Sequence, residues 1–259
     1  MAQGTLDGRV AVVTGAASGI GEATARLCVA QGGRVLLVDR DAVRLAAVAE
    51  SIGSSATSFH ADVAEPHAAS AYVEHALARF GRVDIAMLNA GMAGTVCRIE
   101  DVTAQDFDEI MRTNVRSVWS GLAALFPVMR LAGGGSIVVT ASTGGVMGAP
   151  MVAPYIASKH AVIGLVKSAA LEGARHNIRV NAIAPSPIDT PMMAHIDRAL
   201  GHRDDGGGRA RTLAHVPMRR YGTADEVARM MVFLASAEAS FCTGGVYLVD
   251  GGAAAGISG

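Results

Sequence analysis

Short, β-branched apolar runs alternate with longer alanine-rich stretches of helical period along almost the whole chain, and this alternation admits few folds. Parallel strands need a crossover between them, and a strand–helix–strand crossover is right-handed, so repeating the unit builds a parallel sheet with helices on its faces. Strands are expected at 10–14, 34–39, 57–62, 83–88, 136–141, 178–183 and 246–249. Helices are expected at about 20–31, 42–51, 66–80, 152–175 and 224–235, with one long or broken helix over about 104–130 that Gly133-Gly134-Gly135 ends. The fold class that follows is α/β: a single doubly wound domain over residues 1–259, its seven-stranded parallel sheet flanked by helices on both faces. Composition agrees, since 51% of residues are hydrophobic and 17% charged, as a sheet covered on both faces requires. With 4% aromatic residues, Ala, Val, Leu and Ile must fill the core.

Only about 187–221 breaks the alternation, and it contains Asp204-Asp205-Gly206-Gly207-Gly208. A long irregular segment inside a compact domain is usually functional, so it reads as a substrate lid, with about Ile188 to His215 expected to be mobile without ligand and ordered with NAD and substrate. From His195 to Arg220 it carries six Arg against three Asp. Those charges could attract a carboxylate or a carrier-linked phosphate, but a solvated loop explains them as well and is the simpler reading.

The first strand runs into Thr14-Gly15-Ala16-Ala17-Ser18-Gly19-Ile20-Gly21, glycines placed where a chain turns sharply into a helix. Without Cβ atoms there, backbone N–H groups and the positive helix end can approach a pyrophosphate. Asp39 closes the second strand 20 residues past Gly19, where a carboxylate can accept hydrogen bonds from an adenosine ribose. Together these features point to a bound dinucleotide. Asp39 would repel a 2′-phosphate and Ser18 adds no positive charge, so NAD is preferred over NADP; Arg40 is the one nearby cation that could oppose this.

Tyr155 and Lys159 stand four residues apart in a helical segment and so share a face. A phenol titrates near 10, too high for acid–base work at neutral pH, unless a neighbouring ammonium stabilises the phenolate.

These motifs, in this order, resemble the classical short-chain dehydrogenase/reductase family over nearly the whole chain. Residues 14–21 match TGxxxGIG, Asp62-Val63 the adenine contact, Asn89-Ala90-Gly91 the close of the fourth strand, and Asn114, Ser142, Tyr155 and Lys159 the catalytic tetrad with its YxxxK. The resemblance implies that Ser142 hydrogen-bonds the substrate oxygen, that Tyr155 exchanges its proton, and that Lys159 binds the nicotinamide ribose and lowers the phenol pKa. Asn114 would bend its helix and hold a water leading to solvent. It further implies that Gly15, Ser18, Gly19, Ile20, Gly21, Asp39, Asn89, Ala90 and Gly91 line the cofactor site, with Pro185, Ile188 and Thr190 at the nicotinamide carboxamide. Ser186 replaces the glycine usual after Pro185, which puts the local pocket shape in question, and Leu88 stands where a second Asn is common.

Met92, Met147, Met151, Met192 and Met193 fall in segments that, by the same resemblance, surround the nicotinamide, and flexible thioethers suit an apolar substrate. The expected function is NAD-dependent oxidation or reduction of a secondary alcohol or ketone, largely apolar or cyclic. The alternatives are a 3-oxoacyl-thioester reductase, which the NAD preference disfavours, and a non-catalytic NAD-binding sensor, which the intact tetrad disfavours. Family members pair their long helices about two-fold axes, and Leu122-Ala123-Ala124-Leu125 with Val162, Leu165, Val166, Ala169 and Ala170 suggests the same here, giving a homodimer or homotetramer.

A formal net charge of −1 offers no field for nucleic acid or an anionic membrane. Cys28, Cys97 and Cys242 are odd in number and widely spaced, which argues against a disulfide framework and against a zinc site. No apolar run reaches the ~20 residues of a membrane span, and MAQGTLDGR has no basic-then-apolar pattern, so a cytoplasmic protein is expected.

Overall fold

The computed structural model describes residues 4–201 and 207–256. Seven strands, β1 (Val10–Thr14), β2 (Arg34–Asp39), β3 (Ala56–His60), β4 (Ile85–Leu88), β5 (Gly135–Thr140), β6 (Ile178–Pro185) and β7 (Val246–Val249), form one sheet in the order β3-β2-β1-β4-β5-β6-β7. Every pairing is parallel. The helices are α1 (Gly19–Ala30), α2 (Ala42–Ile52), α3 (Ala68–Phe80), α4 (Ala104–Met111), α5 (Ser117–Leu131), α6 (Ala153–Ala174), α7 (Pro191–Leu200), α8 (Gly207–Ala214) and α9 (Ala224–Ala235).

Strand alternation divides the core. Val12, Leu36 and Val38 turn to one face, where they pack with Tyr72 of α3, Leu125 of α5 and Val166 of α6. Val13, Val35 and Leu37 turn to the other, against Cys28 of α1, Leu45 of α2 and Met231 of α9. Burial pushes the Cys28 thiol up to about 12, so it behaves as a small apolar side chain. Among the described residues no helix is long and apolar enough to cross a membrane.

Three expectations need correction. β3 ends at His60, two residues early, because Asp62 turns the chain by accepting from the Ala64 N–H at 2.9 Å. β6 instead continues to Pro185, paired with Val249 of β7. The segment read as irregular holds two helices, α7 and α8; Thr190 caps α7 by accepting from the Met193 N–H at 3.3 Å, with Pro191 at the first helical position. Of the stretch expected to be mobile, 202–206 lies outside the described residues. The subunit-pairing argument also changes in substance. Leu122, Leu125, Val162, Val166, Ala169 and Ala170 are buried in this chain's own core, while Ala123 is exposed and Leu165 half-buried, and Phe107, Trp119 and Leu131 are the exposed large apolar residues of the α4–α5 stretch.

Candidate active site

A cavity of about 680 Å³ opens at the carboxyl ends of β1, β4, β5 and β6. It sits at the β1/β4 seam, where the strand order reverses, the place at which ligands bind in open parallel sheets. Gly15, Ser18, Gly19, Ile20 and Asp39 line one part, and Asn89, Ala90, Gly91, Ser142, Tyr155, Lys159, Pro185, Ile188 and Thr190 line the rest. Gly21, Asp62, Val63 and Asn114 were also expected there and are not on its wall.

Each of the four has a place behind or beside it. A Cβ on Gly21 would lie 2.0 Å from the Gly15 carbonyl oxygen, so this glycine lets α1 pack against the turn that faces the cavity. Gly15 itself holds φ +68°, a conformation glycine adopts freely. Asp62 and Val63 follow β3, where the Asp62 carboxylate caps a turn. Asn114 is 1% exposed and sits in a π-helical turn, Arg112–Arg116, that breaks the long helix, the bend expected there. Its side-chain oxygen accepts from the Met92 N–H at 2.8 Å, and its amide donates to the Met92 carbonyl at 2.9 Å and to Ser158 Oγ at 3.0 Å. The side chain therefore ties the loop after β4 to α6.

Asp39 is held by two backbone N–H groups, Ala17 to Oδ2 and Asp41 to Oδ1, both at 3.0 Å. Each oxygen keeps a further lone pair for a ligand hydroxyl. Asn89 stitches three strand ends: its amide donates to the Thr14 carbonyl at 3.1 Å and its oxygen accepts from Thr140 Oγ1 at 3.0 Å.

Ser142 Oγ accepts from the Gly144 N–H at 3.0 Å and lies near enough to the Tyr155 phenol to favour its charged form. Lys159 is 4% exposed; its ammonium donates to the Thr140 carbonyl at 2.8 Å and lies 5.6 Å from the centre of the Tyr155 ring. Burial raises the Tyr155 phenol above its ordinary 10, with Ser142 pulling the other way, and burial brings Lys159 down to about 8. The expected lowering of the phenol is thus not found in this arrangement: desolvation outweighs Ser142, and the Lys159 ammonium donates to a carbonyl and not to the phenol oxygen.

The outer wall comes from the loop before α6 and from α7 and α8. Of the five methionines singled out, Met151, Met192 and Met193 line the cavity, while Met92 lies in a neighbouring groove and Met147 is 42% exposed. Ile196, Leu200, Thr212 and His215 join them and were not anticipated, although Met193, Ile196 and Leu200 already show helical spacing. Tyr221 fastens this wall from behind, donating to both oxygens of Asp197 on α7 at 2.8 and 3.0 Å, with the Arg209 guanidinium of α8 stacked 4.0 Å above its ring. Ser186 donates its N–H to the Val249 carbonyl at 3.2 Å and its backbone is not left-handed, so the chain continues the β6–β7 ladder without a glycine.

A family described as enoyl-(acyl carrier protein) reductase matches residues 15–254. Levodione reductase from Leifsonia aquatica is 37% identical over 252 residues, 95% of this chain and 94% of that one. Cyclohexanol dehydrogenase from Acinetobacter sp. (strain SE19) is 37% identical over 249 residues, 95% of each. A crystal structure of 3-ketoacyl-(acyl-carrier-protein) reductase from Brucella melitensis complexed with NADH superposes with a TM-score of 0.89 at 35% identity, covering 96% of this chain and 99% of the other.

Proposed function

This chain belongs to the short-chain dehydrogenase/reductase family, of the classical type, and from that premise we propose that it moves hydride between NAD and a secondary alcohol or ketone whose body is largely apolar or cyclic. The observation that carries the reading is convergence: the glycine turn, Asp39, Ser142, Tyr155 and Lys159 all meet in one cavity whose outer wall is mostly apolar. The similarity to proteins named for cyclohexanol and levodione supports the substrate class.

The residues fit a dinucleotide. Gly21 lets α1 lie against the Gly15 turn at a separation no Cβ would tolerate, which exposes the positive end of the helix to the cavity. Gly15, Ser18, Gly19 and Ile20 would hold the pyrophosphate, Asp39 the adenosine ribose, and Asp62 and Val63 the adenine beyond the rim. Asn89, Ala90 and Gly91 would support the middle of the cofactor, Tyr155 and Lys159 the nicotinamide ribose, and Pro185, Ile188 and Thr190 the carboxamide. When bound, the nicotinamide supplies the carbon that gives or takes hydride.

The chain's own part is the proton. In reduction, Tyr155 Oη gives its proton to the carbonyl oxygen as that oxygen gains charge, and Ser142 Oγ holds the same oxygen; in oxidation the phenolate takes the proton back. The lid helices α7 and α8, fastened by Tyr221, exclude water from this exchange. Purified protein with NAD, screened spectrophotometrically for NADH formation against cyclic, linear, steroidal and sugar alcohols, tests the reading, and no NADH with any secondary alcohol overturns it. Reduction of acetoacetyl-CoA with NADH would instead favour the thioester reading, which the Brucella relative and Arg211 on the cavity wall support.

Cofactor choice follows from Asp39. A carboxylate fixed by two N–H groups meets ribose hydroxyls well and a 2′-phosphate badly, so NAD should bind more tightly than NADP by at least about tenfold. Titration of Asp39→Ala should bring the two affinities to within about threefold; equal binding by the parent would shift the role to Arg40.

The outer surface of α4 and α5, with Phe107 and Trp119 exposed, suits pairing of two copies of a cytoplasmic protein about a two-fold axis, as a dimer or within a homotetramer. Light scattering at micromolar concentration should give a multiple of 26.4 kDa, and the single-chain mass would rule pairing out.

A further inference from the structure

Among the described residues three that are not glycine hold left-handed backbone: Met151 at φ 69°, Asn177 at 57° and Arg219 at 53°. Asparagine adopts this conformation readily, and Arg219 lies in an exposed turn after α8. Met151 follows Pro150 in a turn that takes positive φ at this position, where glycine or asparagine is the usual residue and methionine is not. It is half-buried and lines the cavity, and its carbonyl accepts from the Cys97 N–H at 2.9 Å, which pins it to the loop after β4 two residues before α6 begins.

Strained backbone of this kind persists where the surroundings over-determine it, and it gathers at ligand sites. Glycine would satisfy the same backbone without strain. What methionine adds is a long, flexible apolar side chain on a residue that lines the cavity, on the side of Ser142 and Tyr155 that the loop before α6 forms. We infer that Met151 is a specificity-determining residue: its strained backbone aims the thioether at the apolar body of the substrate, which packs against it. The inference rests on the reading of an apolar or cyclic alcohol as substrate.

The test uses full-length protein with methyl-13C methionine and NADH present, so that added cyclohexanol forms a complex without turnover. Met151→Leu identifies the Met151 methyl signal among the twelve methionines. Titration with cyclohexanol should move that signal, and 2-propanol should move it far less. Met151→Ala and Met151→Gly should each weaken cyclohexanol binding by roughly tenfold. Met151→Gly should melt no lower than Met151→Ala, although glycine elsewhere lowers stability, because it alone releases the backbone. Movement of other methionine signals with Met151 unmoved overturns the specificity role and leaves the substrate class standing. A glycine variant that melts below the alanine one overturns the strain on which the aim depends. If cyclohexanol moves no methionine signal at all, the substrate class fails and this inference with it.

Discussion

Replacing Tyr155 by phenylalanine should lower turnover by at least about a thousandfold, on the order of 4 kcal/mol in the barrier, while NADH affinity stays within about threefold. Phenylalanine keeps the ring and its packing beside Lys159 and removes only the oxygen that lies near Ser142 and carries the proton. Loss of the acid–base group and of its hydrogen bond to the developing oxyanion fall together on the transition state, so the effect belongs to kcat. The parent's pH profile carries the same signature. Burial holds the phenol above 10, so reduction, which needs the protonated form, should stay level from about pH 6 to about pH 8, and oxidation, which needs the phenolate, should climb as pH rises. Stopped-flow turnover and NADH fluorescence titration decide the matter; turnover near the parent's in the phenylalanine variant would remove Tyr155 from the reaction.

Gly21→Ala should unfold earlier and bind NADH at least about tenfold more weakly. Two effects of opposite sign compete here. Alanine is the better helix former by about 1 kcal/mol, which by itself would stabilise α1. The new Cβ would lie 2.0 Å from the Gly15 carbonyl oxygen, 2.7 Å from its carbon and 2.8 Å from Asn89 Nδ2. Backbone atoms cannot rotate away, and overpacking of this kind costs about 1–3 kcal/mol or more, so the clash wins and the melting temperature should fall by several degrees. Relief of the clash moves the Gly15 turn or tilts the start of α1, and either change disturbs the cofactor wall. A variant with the parent's melting temperature and the parent's NADH affinity would show that the turn has slack.

The fold and most of this site were legible in the sequence because their signals are local and redundant. Each strand is a contiguous apolar run, and β1, β2 and β7 have the bounds the sequence suggests, since Thr14-Gly15, Asp39 and Asp250-Gly251 punctuate them. The helices of the outer wall were less visible because glycines and charges around 201–209 suggest a loop, although Thr190-Pro191 is a pair with which helices often start. Other features depend on three-dimensional placement and left no local mark. Whether Val162 and Val166 face a second subunit or the chain's own sheet cannot be told from helical spacing alone, and the structure turns them inward. The phenol and ammonium titrations likewise depend on burial, which the four-residue spacing of Tyr155 and Lys159 does not encode.

The seam between β1 and β4 has a kinetic consequence. β1 pairs with β2 across a single short crossover, Val10 beside Arg34, but reaches β4 only when residues as far apart as Val10 and Asp84, separated by 74 positions, come together. Closing the longer loop loses more chain entropy before any contact rewards it, so pairing across this seam should be the slower step. The cofactor cleft exists only once that seam has closed, because Asn89 and Ala90 take their positions from Thr14 on the other side of it. During refolding, helical ellipticity should therefore return before the capacity to bind NADH, and the site should be among the last features of the chain to become usable.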